Sequence, residues 1–248
     1  MDINELNIPK YLNNCLQSAD INKINPYLLY YFFLKNVNGE NRKKVLQYLK
    51  RPFKELSYYR ERQNSLIISL KNNNFSVCEF TGKLLENAIP GLGISSAFET
   101  GISLNFIYGF PYLPASSLKG ITSDYAIFYE GKDKEKDEDY KNVFGAQGLE
   151  GNVIFFDALP IIDNNILDLD VMTPHFQEYY SNNSFPGDYL KPNPILFLVI
   201  KKNVSFKFYL ASKDKNLLNI ACKWLKGALE NIGIGGKTSV GYGHFSIK

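Results

Sequence analysis

Apolar residues recur at helical spacing over much of the first seventy positions. An eight-residue apolar run at 27–34 comes first. Val45, Leu46 and Leu49 then mark one side of 42–50 until Pro52 interrupts, and Leu56, Tyr59, Leu66 and Leu70 resume the pattern over 53–70. Residues three and four apart share a helix face, so this stretch predicts helices. After the turn signal Asn72-Asn73-Asn74 the period shortens, and 75–80 alternate as a strand does. A loop carrying Gly91 and Gly93 leads to a short predicted strand at 102–107. Leu118, Ile121, Tyr125 and Phe128 predict a helix that Gly131 stops, and the mixed charges of 132–139 read as a solvated loop. Residues 152–156 predict a strand. Residues 195–200 and 204–210 predict two more, joined as a hairpin by Lys201-Lys202-Asn203. A strongly amphipathic helix follows, with Leu217, Leu218, Ala221, Trp224, Leu225, Ala228, Leu229 and Ile232 on its apolar side, and 242–247 predict a last strand.

From residue 75 the principal elements run strand, helix, strand, strand, helix, strand. That order predicts an α+β fold with a ferredoxin-like (RRM-like) βαββαβ core. An N-terminal helical extension, 1–74, precedes a domain at 75–248. Residues 158–194 are irregular and rich in Pro, Asn and Asp; a stretch of that length is long for an idle loop and predicts a functional insertion.

Composition adds bounds. The chain has 248 residues, 45% of them hydrophobic, with 17 tyrosines and 18 phenylalanines, so a sizeable core is expected and general disorder is not. The start lacks a charged segment followed by an apolar run, and no apolar run approaches the ~20 residues that cross a bilayer. A cytoplasmic protein without a membrane partner is expected. Cys15, Cys78 and Cys222 are widely spaced and only two histidines are present, so no metal site or other cofactor is expected, and the cysteines read as core thiols in a reducing compartment.

Charge is uneven. Residues 35–71 hold ten basic and three acidic side chains, 72–200 hold seven and seventeen, and 201–248 hold nine and two. Two basic segments flanking an acidic middle suggest a polyanion on one face and a protein partner on another.

Three segments carry candidate chemistry. The first is Gly233-Ile234-Gly235-Gly236-Lys237-Thr238-Ser239-Val240-Gly241-Tyr242-Gly243. Glycines lack Cβ and let backbone amides approach an anion, while Lys237 adds a charge and Thr238 and Ser239 add hydroxyls. Gly235 and Gly236 belong to the same cradle. Gly236-Lys237-Thr238 is not a P-loop, because Asn231 stands at the first glycine position and the loop follows a helix and opens a strand. The second segment is Pro114-Ala115-Ser116-Ser117-Leu118-Lys119-Gly120. Ser116 is read as the N-cap. A lysine in the first turn opposes the helix dipole by about 0.3–1 kcal/mol, and Gly120 inside a helix costs about 1 kcal/mol. An anion at the helix start would offset both, and an RNA phosphate suits. The third segment is Asp170-Val171-Met172-Thr173-Pro174-His175-Phe176-Gln177-Glu178-Tyr179-Tyr180. His175 beside carboxylates could serve acid–base chemistry, contact RNA, or lock the insertion to a neighbour.

Gly91-Leu92-Gly93, the Gly109-to-Gly120 segment, Asp170-to-Tyr180 and the terminal glycine loop together resemble the RAMP superfamily over about 75–248, and Asp170-to-Tyr180 is similar to the sixth Cmr subunits of type III-B CRISPR effector complexes. Ala115 departs from the family pattern, which has glycine there. The resemblance implies a non-catalytic guide-RNA-binding subunit in antiviral defence, capping a backbone filament near the guide 3′ end. Guide RNA, and target RNA with it, would be bound at Ser116, Ser117, Lys119, Gly235, Gly236, Lys237, Thr238, Ser239 and His175. The implied protein partners are the repeated backbone subunit, the first Cmr subunit and the small helical subunit, with RNA cleavage residing in partners. The chain has neither a His-Asp dipeptide nor Gly-Gly-Asp-Asp. The rival readings are a stand-alone guide-RNA processing endoribonuclease using His175, and a protein-only assembly adaptor.

Overall fold

The computed structural model describes residues 24–32, 43, 46–96, 98–173 and 194–247. In chain order the elements are α1 (Pro26–Tyr31), α2 (Leu56–Asn72), β1 (Ser76–Leu84), α3 (Ala115–Phe128), α4 (Glu138–Phe144), β2 (Gly145–Ala146), β3 (Leu149–Glu150), β4 (Ile154–Phe155), β5 (Leu159–Pro160), β6 (Leu167–Met172), β7 (Ile195–Ile200), β8 (Ser205–Ser212), α5 (Lys215–Asn231), a 3-10 turn (Thr238–Val240) and β9 (Phe245–Ile247). The central sheet has the order β4-β8-β1-β9, antiparallel throughout, with β5 also on β8.

Alternation along β1 and β8 divides the sheet into two faces. Phe80 and Phe208 stack with ring centroids 5.0 Å apart, and Phe245 meets Phe208 edge-on at 5.5 Å. Trp224, Leu225, Ala221 and Leu229 of α5 and Leu118 of α3 are buried in the same core. Gly227 explains how closely the two helices approach: a Cβ there would lie 2.3 Å from the Tyr125 ring. The helical cost of that glycine, about 1 kcal/mol against alanine, is offset by the packing it permits. Asp214 caps α5, its carboxylate accepting from the amides of Asn216 and Leu217.

The opposite face is covered by α2. Tyr209 on β8 donates to Asn64 Oδ1 at 2.9 Å, Gln63 donates to the Asp157 carbonyl, and Arg60 pairs with Asp163 at 2.7 Å. Ile24, Leu29, Tyr30, Leu46, Leu49, Phe53 and Leu56 share one core with Phe80 and Phe208, so the N-terminal residues are integral to the packing. Lys50 pairs with Asp168 at 2.5 Å, tying this region to β6, and its ammonium holds the Asp168 carboxyl below the usual carboxylate range.

Several expectations change. Residues 195–200 form a strand, but β7 pairs with β6 and not with β8. The two edges of β8 are already taken, one by β1 and the other by β4 and β5, so no ladder remains for β7. The predicted strand at 102–107 is reduced to a single bridge between Leu104 and Pro111. Asn105 redirects that segment, its side-chain oxygen accepting from the Ile107 and Tyr108 amides. The 132–139 stretch is not wholly loop, since Asp137 accepts from the Tyr140 amide and starts α4. The 158–194 insertion holds β5 and β6. Cys78 on β1 and Cys222 on α5 are joined in a disulfide and are not free thiols. Among the described residues no helix is long and apolar enough to cross a membrane.

Candidate nucleic-acid interface

The glycine loop begins where α5 ends. The amides of Ile232 and Gly233 both reach the Ala228 carbonyl, and Gly233 turns the chain with φ +76. Ile234 is buried, its amide donating to the Gly243 carbonyl. Gly235 and Gly236 then lie against residues 89–92: a Cβ on Gly235 would meet the Ile89 carbonyl oxygen at 2.5 Å, and one on Gly236 would meet Leu92 at 2.6 Å. The Gly236 amide donates to the Ile89 carbonyl and the Gly243 amide to the Asn87 carbonyl. The Gly236 and Gly243 amides are thus taken up by the loop's own packing and do not face an anion, whereas Gly235 is exposed together with the turn beyond it.

That turn is built around Lys237, in the left-handed region at φ +60, followed by the 3-10 turn and Gly241 at φ +98. Ser239 and Val240 are exposed and Lys237 and Thr238 half-buried. The Lys237 ammonium lies over two rings, 5.3 Å from the Phe197 centroid and 5.9 Å from Tyr242. The Tyr242 hydroxyl donates to Asp170 Oδ2 at 2.7 Å, and Asn87 Nδ2 donates to the same oxygen at 3.3 Å. Burial, and then the Asp170 carboxylate beside it, push the Tyr242 phenol up to about 12. Ile89, Phe197 and Val199 form a small second core against which Leu92, Met172 and Tyr242 pack. Three segments singled out in the sequence therefore meet: residues 91–93, the glycine loop, and Asp170 to Met172 at the root of the insertion. His175 lies outside the described residues.

Sequence reasoning missed Phe197, Asn87 and His244. The two ring nitrogens of His244 lie 3.1 Å from the Glu230 carbonyl oxygen and 3.2 Å from that of Thr238, so the ring bridges the end of α5 and the turn.

The start of α3 differs from its sequence reading. The N-cap is Pro114, which has no side chain able to cap, and Ser116 lies inside the first turn. The capping group is Asp157, whose Oδ1 accepts from the Ala115 amide at 2.7 Å. The protein thus supplies its own anion where an RNA phosphate was expected. Ser116 and Ser117 are exposed and Lys119 is half-buried. Among the described residues, neither Lys119 nor Lys237 has a carboxylate within 4.0 Å.

The helix pair relates the two corners. Tyr125 of α3 packs on Gly227 of α5, and Glu130, just past α3, pairs with Lys223 at 3.0 Å. One index rises as the other falls, so the helices are antiparallel. The first turn of α3 consequently lies at the same end of the pair as the glycine loop.

Comparison with known proteins gives the family. The family model of the RAMP superfamily matches residues 80–246. The CRISPR system Cmr subunit Cmr6 of Pyrococcus furiosus is 32% identical over 230 residues, covering 68% of this chain and 68% of the relative. The Cmr6 subunit of Saccharolobus solfataricus is 32% identical over 182 residues, covering 72% of this chain and 60% of the relative. A chain in the cryo-EM structure of a type III-B Cmr-beta complex bound to cognate target RNA superposes with a TM-score of 0.71 at 26% identity, over 87% of this chain and 77% of that one. The chain belongs to the RAMP superfamily, and within it to the family of Cmr6 subunits of CRISPR Cmr systems.

Proposed function

We propose that this chain is a non-catalytic guide-RNA-binding subunit of a type III-B CRISPR effector complex, acting in the cytoplasm and capping the backbone filament near the guide 3′ end. The observation that carries this reading is the convergence of the glycine loop, residues 91–93 and the root of the insertion on one corner, with Lys237 free of any carboxylate partner among the described residues. Relatives that are Cmr6 subunits, and a structural neighbour in a target-RNA-bound complex, support it. The sheet order and the two helices on one face support a ferredoxin-like core at 75–248 carrying the N-terminal extension and the 158–194 insertion.

In this reading Lys237, with the hydroxyls of Thr238 and Ser239, holds phosphate groups on the exposed turn. Gly235 and Gly236 shape that turn. Lys119, Ser116 and Ser117 extend the contact along the same end of the helix pair, and His175 reaches RNA from the insertion. Phosphate contacts position a strand without reading its bases, so sequence preference is slight. The repeated backbone subunit, the first Cmr subunit and the small helical subunit are the protein partners, and target cleavage belongs to the repeated backbone subunit.

The test is binding of a labelled single-stranded RNA by the purified protein across a salt series, with Lys237→Gln as the variant. Binding that weakens steeply with salt, varies little between RNA sequences, and loses about one unit of log–log salt slope in the variant is expected. Equal binding by the variant at every salt concentration would remove Lys237 from the interface.

A further inference from the structure

The open edge of β1 carries an inference that rests on the assembly reading above. The Leu84 amide donates to the Val204 carbonyl on the β8 side, whereas the Leu85 amide donates to the His244 carbonyl on the β9 side. In an antiparallel strand, successive residues send their N–H and C=O groups to opposite edges. Even-numbered residues of β1 therefore bond to β8, and odd-numbered ones face β9. But β9 covers only Gly82, Lys83 and Leu84, while β8 runs alongside β1 from Ser76 to Lys83. The amides and carbonyls of Val77 and Glu79, beyond the reach of the β9 ladder, thus point to an edge where no strand lies among the described residues. Glu79 is exposed, and Val77 is half-buried.

A row of unpaired backbone groups on a strand already held on its other edge is a template for one more strand. We propose that an extended, proline-free segment of a neighbouring protein subunit adds to the sheet beside residues 76–80, antiparallel or parallel, and is held mainly by main-chain hydrogen bonds. A protein strand fits better than RNA because donors and acceptors alternate there at the spacing of a peptide ladder. The Glu79 side chain itself pairs with Lys207 at 2.7 Å, leaving its backbone groups for the ladder.

The parity supplies a selective test. Glu79→Pro removes an amide that faces the open edge and leaves the β8 ladder intact, and Glu79→Gln keeps the amide while losing the carboxylate. Both are co-expressed with the remaining subunits and guide RNA, and folding of each is checked by circular dichroism and melting. Amide exchange at 76–81 is then measured in the free protein, with guide RNA alone, and in the assembled complex. The expected result is rapid exchange at 77 and 79 in the free chain, at least tenfold slower exchange in the complex, and at least tenfold weaker incorporation of Glu79→Pro than of Glu79→Gln.

Entry into the complex with 77 and 79 still exchanging freely overturns the strand addition and leaves the assembly reading standing. Failure of the wild-type chain to enter the complex overturns both. Protection already present in the free chain, whether independent of concentration (its own chain covers the edge) or dependent on it (a second copy does), overturns the inference, as does protection by RNA alone.

Discussion

The two corners at the common end of α3 and α5 look alike in sequence and differ in structure. Each offers a lysine, two hydroxyls and a glycine. At the α3 corner the helix start is already met by an internal carboxylate, Asp157, so the local electrostatic conflict posed by Lys119 is eased from within the protein. At the glycine corner Lys237 faces two aromatic rings and, among the described residues, no carboxylate within 4.0 Å. An anomaly in local sequence thus has two possible resolutions, a partner elsewhere in the chain or a ligand outside it, and only the second marks a binding site.

The comparison can be broken in four ways, taken from the largest expected effect. Gly243→Ala places a Cβ 2.0 Å from the Ile234 carbonyl oxygen at a residue with φ +72. It should cost about 3 kcal/mol in chemical denaturation and collapse the RNA affinity of the glycine corner. Gly241→Ala, where a Cβ meets nothing within 4 Å, should cost only the left-handed backbone term of about 1–2 kcal/mol. Lys237→Gln should weaken RNA binding about tenfold, against about threefold for Lys119→Gln, in line with about 0.5–1.5 kcal/mol per contact. Equal losses would erase the distinction between the corners. Asp157→Asn should lower stability by about 1 kcal/mol through the helix cap while strengthening RNA binding in low salt, because a negative charge leaves the α3 corner. Weaker binding in that variant would assign Asp157 a supporting role instead.

The smallest effect concerns pH. Lys50 holds the Asp168 carboxyl low, so the folded state favours the ionised form. The stabilisation is present above the ordinary carboxylate pKa and is lost as pH falls through the folded value. The melting temperature of Asp168→Asn should therefore lie below that of the wild type at neutral pH, with the gap closing in acid. A constant gap would mean that packing, not charge, is what Asp168 contributes.

Element identity was largely legible because periodicity is local. The α5 helix, the alternation of β1 and the position of α3 follow from spacing alone. Pairing was not legible. Nothing near 195–200 reveals that both edges of β8 are filled by β1, β4 and β5, and a following strand across a short turn is ordinarily its hairpin partner. Leu167-Asp168-Leu169-Asp170-Val171 does alternate as a strand should, a signal obscured by the prolines and asparagines around it. In the candidate site the glycine loop was visible as composition, but the purpose of its glycines was not. Gly235 and Gly236 are required by Ile89 and Leu92, about 145 residues earlier in the chain. Asp157 escaped for the same reason, since a cap supplied from 42 residues away leaves no mark beside the helix it caps.

The position of α2 has a consequence for what the molecule can discriminate. A four-stranded sheet with a bare face can stack nucleobases on its aromatic side chains and so tell one letter from another. Here α2 lies over part of that face, and its aromatic Tyr209 is buried and engaged by Asn64. In the proposed role, a strand of RNA would be left with the rim of the domain, where charge and hydroxyls meet its sugar–phosphate thread. Such a surface would accept any message of the right chemistry, as the guide-binding role proposed above requires.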